Sequence, residues 1–221
     1  MLVVTAVWGW TFVLVKDAVT QYPTLPFLQI RFLLALVVIA VVVHRLPTRG
    51  ELRVGAVIGV VLAAGYLTQT VGLTITSPGN AGLITGLFVV LTPVINRLFG
   101  APIHWWTWTA VLISLAGLGL LTGGLSGMNL GDALVLACAV LFALHIVLLG
   151  RWSPSTSSAT LATVQLGACA LLFSAGGTWT LRPPSTAVWV AIVVTGLFAS
   201  AFMTPRSAQI FCHFGSISWG T

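Results

Sequence analysis

The chain has 221 residues, 58% of them hydrophobic and 5% charged, with a mean hydropathy of +1.09, a balance that excludes a soluble domain of this size. Its nine basic residues outnumber three acidic ones and give a formal charge of +6, yet they are scattered singly, which argues against nucleic acid or an acidic partner. Apolar runs of about 20 residues, each long enough to cross a bilayer, recur through nearly the whole length. The expected fold is an all-α polytopic protein of the plasma or inner membrane, with about eight transmembrane helices and the lipid bilayer as its solvent. Transmembrane β-strands would need alternating segments of about ten residues, which runs such as ALVVIAVVV do not show.

The first span is expected at 2–20. It has no basic leader region and no small-residue cleavage site, so helix 1 is read as retained. Trp8 and Trp10 lie deeper than a headgroup belt requires and are candidates for helix packing or for a cavity wall. Lys16 lies roughly 21 Å along the helix, one or two turns short of the far surface, with Asp17 beside it. Neighbours on a helix point about 100° apart and pair poorly, which leaves Arg31 of the second span (27–43) as a partner for Asp17. Lys16 then either snorkels to the headgroups or, like Arg31, serves as a cavity charge.

The third span (54–73) carries a small-residue stripe, Gly55, Gly59 and Ala63, read as a close helix contact. Tyr66 and Thr70 share a face further along, with Gln69 beside them, as candidate pore-lining groups. The fourth span (79–99) starts near Asn80, carries a second glycine pair at Gly82 and Gly86, and aligns Thr85, Thr92 and Asn96 on one face. Pro93 removes a backbone donor and frees the carbonyl of Val89, which predicts a bend. Such a polar stripe suits a cavity wall or bonds between helices. Trp105, Trp106 and Trp108 open the fifth span (105–122) and fit an aromatic belt.

The sixth span (130–150) begins at Asp132, read as a helix N-terminal cap, and contains His145, either a proton carrier or a neutral histidine bonded to a neighbouring helix. Spans at 157–179 and 186–203 follow. Cys138, Cys169 and Cys212 have neither disulfide nor metal spacing and are read as small apolar fillers. Arg45, Arg49, Arg53, Arg97, Arg151 and Arg206 all fall on one side if the N-terminus is cytoplasmic.

The segment VWGWTFVLVKDA (7–18) is echoed by LFALHIVLLGRW (141–152) at an offset of about 134 residues, which pairs Thr11 with His145. AVIGVVLAAGY (56–66) is echoed by IVVTGLFASAF (192–202) at about 136. A repeat of five helices, an odd number, must place its two copies upside down, as in secondary transporters whose sites lie near the midplane.

The stretch WGWTFVLVKDAV followed by LPFLQIRFLLALVV, the run VGLTITSPGNAGLITGLFVVLTPVINRLFG and the later LISLAGLGLLTG resemble the EamA family of the drug/metabolite transporter superfamily. The resemblance covers roughly residues 4–202 and is most specific over 71–100. It implies ten helices in two inverted five-helix repeats around a central cavity that moves small metabolites. In this chain the repeats would be 1–123, complete, and 130–203, incomplete after helix 8, followed by an atypical tail, 204–221. A truncated gene, a shifted reading frame and a genuine eight-helix variant remain open for that tail. The family's glutamate after the helix 4 glycine is replaced by Ala101 and Pro102.

The expected activity is therefore secondary transport of small metabolites, amino acids or related compounds. The alternative is a truncated, inactive or regulatory fragment of such a transporter. No HExxH, nucleophile or paired-carboxylate motif points to an enzyme, and nothing calls for a cofactor or metal.

Overall fold

The computed structural model describes residues 2–121, 127–152, 157–176 and 183–202, with backbone alone for 2–8, 121 and 198–202. No strand occurs among them. The helices are α1 (Leu2–Gln21), α2 (Thr24–Val42), α3 (Arg49–Ile75), α4 (Pro78–Gly86), α5 (Phe88–Leu98), α6 (Trp105–Leu121), α7 (Leu130–Trp152), α8 (Ser158–Gly176) and α9 (Thr186–Phe202). Five crossings are long and apolar enough to span a membrane: α2, α3, α4 with α5, α7 and α8. The shorter α6 and α9 are also apolar. The tail from 204 onward, with Arg206 and Cys212, lies outside the described residues.

Local chemistry fixes the ends. At the start of α3 the Thr48 hydroxyl accepts from Glu51 N–H at 3.3 Å while the Glu51 carboxylate accepts from Thr48 N–H at 2.8 Å, a reciprocal capping box. Asn129 and Asp132 repeat the arrangement at the start of α7, at 2.9 and 3.1 Å. Ser77 caps α4 through Asn80 N–H at 3.1 Å, with Pro78 in the first helical position, where no donor is needed. The end of α5 closes through Gly100 at φ +87°, with Gly100 N–H on Arg97 O and Ala101 N–H on Asn96 O. That pair of bonds requires a left-handed residue, which favours glycine.

The fourth span departs from its expected course. Pro93 sits inside α5, but the helix is interrupted earlier, at Leu87, where Leu87 N–H turns to Ile84 O at 3.1 Å and Val90 N–H to Leu87 O at 3.0 Å. Thr85 and the pair Thr92 and Asn96 consequently belong to separate helices, not to one continuous stripe.

Packing divides the described residues into two units. One gathers α1, α3 from Ala64 onward, α4 to α6 and α7 as far as Leu144, around Phe12, Leu73, Ile84 and Val135. The other gathers α2, α3 as far as Ala63, α7 from His145, α8 and α9, around Phe27, Phe32, Ile58, Leu166 and Ile192.

In the second unit the glycines of α3 set the helix spacing. A Cβ at Gly55 would lie 2.6 Å from Val164 Cγ1, and one at Gly59 would lie 2.7 Å from Ala168 Cβ and 3.0 Å from Gln165 Cα. With no apolar drive between helices in lipid, this close backbone approach supplies the attraction. On α4 the glycine contact is looser: Gly82 meets Phe12 at an ordinary 3.8 Å, and Gly86 has no neighbour within 4 Å among the described residues. Glycine spacing alone does not say whether a neighbour lies opposite.

Candidate functional site

In the first unit, the Lys16 ammonium reaches the end of α3, 2.6 Å from Leu73 O and 3.1 Å from both Thr74 O and Thr76 O. Its ammonium is thus engaged by backbone carbonyls at the end of that helix. Asp17 is exposed, and its backbone carbonyl accepts from Thr20 and Gln21. Thr76, whose carbonyl serves Lys16, donates its hydroxyl to Asp132 Oδ1. Asp132 is fully buried, so the residue expected as a cap also ties α7 to the end of α3.

A second polar contact in this unit joins Gln69 Nε2 to Thr85 Oγ1 at 3.2 Å, both side chains buried. Tyr66 stacks edge-on with Phe142 at 5.2 Å. Thr70 returns its hydroxyl to Tyr66 O, and Thr92 returns its own to Phe88 O. Asn80 serves through its backbone as α4 begins. Trp10 is 52% exposed; the Trp8 side chain lies outside the described residues. Trp105 and Trp106 stack at 3.5 Å and, with Trp108, are exposed, as an interfacial belt requires.

In the second unit His145 is 6% exposed and Gln165 1%, and His145 Nε2 lies 2.6 Å from Gln165 Oε1. An amide oxygen only accepts, so with this amide orientation Nε2 carries the hydrogen and Nδ1 is the remaining acceptor of the neutral ring. Arg31 is buried, its guanidinium carbon 5.5 Å from the centre of the Phe32 ring. Gln29 is buried on the same helix, and its Nε2 meets no acceptor among the described residues. Cys169 is a buried thiol donating to Gly59 O at 3.5 Å. Glu51 is 4% exposed and, beyond its capping box, accepts from Ser157 N–H at 3.3 Å and from Arg45. Among the described residues no three histidine, cysteine or acidic side chains converge on a metal-sized site.

Several of the polar groups thus sit where a membrane protein can tolerate them, at helix ends (Glu51, Asp132) or bonded in pairs between spans (Gln69 with Thr85, His145 with Gln165). A family model described as the EamA-like transporter family matches residues 1–123, more than half of the chain. The chain belongs to that family. An uncharacterized transporter of Archaeoglobus fulgidus is 33% identical over 205 residues, which cover 90% of this chain and 64% of the relative. The uncharacterized inner membrane transporter YedA of Escherichia coli K12 is 28% identical over 206 residues, 88% of this chain and 67% of the relative. The chain spans about two thirds of the length of these relatives.

This EamA-like chain holds several groups that sequence reasoning passed over. Gln165 could have been found by carrying Arg31 forward by the repeat offset, and Glu51 by the Thr48-x-x-Glu51 pattern. Thr76 gave no signal, because its role depends on helices distant in sequence.

Proposed function

We propose that this multi-pass EamA-like protein is a secondary transporter that moves small metabolites, amino acids or related compounds, through a central cavity by alternating access. The observation that carries the proposal is a shared burial register. α2 buries residues 26, 27, 28, 31, 32, 35 and 39, and α8 buries residues 160, 161, 162, 165, 166, 169 and 173, each 134 positions later. Gln29 on α2 and Val164 and Ala170 on α8 fall outside the register.

That offset is the one given by the sequence echo of 7–18 in 141–152, and it pairs buried Arg31 with buried Gln165. The two helices run in opposite directions: the Phe32 and Phe173 rings lie 5.4 Å apart, while Leu36 meets Gly167. Antiparallel copies of one buried pattern support an inverted repeat, the architecture that lets a transporter open to either side by rocking one half against the other. The family match ends at residue 123, where the first five-crossing repeat is expected to end. The proposed layout is eight crossings, with 130–203 as an incomplete second repeat.

Arg31 and His145, both buried in the second unit, are the groups proposed to meet substrate. The test is uptake or efflux across a panel of amino acids and related metabolites, in cells expressing the chain and in vesicles containing it. At least one compound is expected to move, and Arg31→Ala is expected to abolish that movement. Full transport by a normally inserted Arg31→Ala protein would remove Arg31 from the cavity. Correct insertion with no movement of any compound would favour the regulatory or inactive alternative.

A further inference from the structure

Lys16 is the only lysine in the sequence. An ammonium has three donors and no acceptor, and here its three near neighbours are backbone carbonyls: Leu73 O at 2.6 Å, Thr74 O at 3.1 Å and Thr76 O at 3.1 Å. These oxygens lack ordinary partners for a local reason. α3 stops at Ile75, the chain is extended at Ser77 (φ −77°, ψ 151°), and Pro78 has no N–H to return to Thr74 O. The site also lies at the negative end of the α3 dipole. A carboxylate stands one residue away, because Thr76 gives its carbonyl to Lys16 and its hydroxyl to buried Asp132.

Carbonyl oxygens converging beside a carboxylate are the ligand type that small hard cations take. We propose that this carbonyl cradle is a monovalent-cation site that the chain fills with its own Lys16 ammonium. Tethering gives the ammonium a high local concentration that dissolved ions cannot match, so the intact protein has no vacancy there for sodium or potassium. Removal of the side chain vacates the cradle, which then takes an alkali cation or a small alkylammonium. The inference stands whether or not the chain transports.

The test uses the full chain in detergent, wild type beside Lys16→Ala, melted at one ionic strength in sodium, potassium, methylammonium or N-methylglucamine chloride. Wild type is expected to melt at the same temperature in all four. The variant is expected to melt lower in N-methylglucamine, by roughly 4 to 10 °C, and to recover saturably with sodium, potassium or methylammonium. A variant depressed equally in every salt, or not depressed at all, overturns the proposal, as does a wild type stabilised by one of the small cations.

Should Lys16→Ala not fold, the wild-type protein supplies the second measurement. Its only side-chain amine is Lys16, so acetylation followed by peptide mass mapping reports on the cradle directly. Lys16 is expected to react roughly tenfold or more slowly in the native than in the denatured chain; equal rates overturn the proposal.

Discussion

Glu51 binds two helices through one carboxylate, taking Thr48 N–H at the start of α3 and Ser157 N–H at the start of α8. Truncation in Glu51→Ala removes the acceptor of both N–H groups, the exposed Thr48 one falling back on water, and is expected to cost about 0.5–2 kcal/mol, read as a lower unfolding midpoint in detergent. Glu51→Gln keeps an accepting oxygen and should lose less. The His145 and Gln165 pair behaves differently, because both partners are buried. Either His145→Leu or Gln165→Leu alone should cost about 1–3 kcal/mol, while the double variant recovers much of that loss, since no polar group is then left unmet. Strict additivity of the two single losses would remove the bond as a stabilising contact. The capping carboxylates were legible in sequence because both partners lie within four residues. The repeat offset marks the position of Gln165 but not its bond to His145, because that partner lies on another helix and an apolar span says nothing about which polar residues face each other.

At the scale of the element, equal glycine spacing has unequal consequences. Gly59→Val must push Ala168 and the backbone of Gln165 away, at an expected cost of about 1–3 kcal/mol. Gly86→Ala meets nothing within 4 Å among the described residues and gains helix propensity of up to about 1 kcal/mol, so it should leave the unfolding midpoint unchanged or raised. A comparable fall for both substitutions would contradict the packing described. Hydropathy and breakers located the helices to within a few residues, because a span needs only length, apolar content and a stop signal. They could not locate the interruption at Leu87, because Leu87 itself is neither glycine, proline nor polar, and a single glycine beside it, Gly86, is tolerated within a helix. They also gave no sign of which helices pack together.

For the whole molecule, the distribution of charge is the main constraint. The sequence has three acidic residues; Glu51 and Asp132 are engaged at helix ends, and Asp17 is exposed. A proton relay through Glu51 or Asp132 would have to break a cap in every cycle, which makes the buried His145 the carrier to test. If His145 carries the proton, transport should follow an imposed pH gradient and lose that dependence in His145→Gln; a rate indifferent to the gradient eliminates the relay. The basic joints predict that a cysteine introduced as Leu46→Cys, in a chain otherwise lacking cysteine, is labelled from the cytoplasmic side, and labelling from the opposite side would overturn the expected cytoplasmic N-terminus. The family was legible from the run over 71–100, whereas the substrate was not, since apolar walls with a few polar groups suit many metabolites. The break at Leu87 also bears on biosynthesis. α4 and α5 have nine and eleven residues, roughly 14 and 17 Å, and neither alone covers a hydrocarbon core of about 30 Å. The two pieces must therefore leave the translocation machinery as one unit, and a charge introduced into either would impair membrane entry of both.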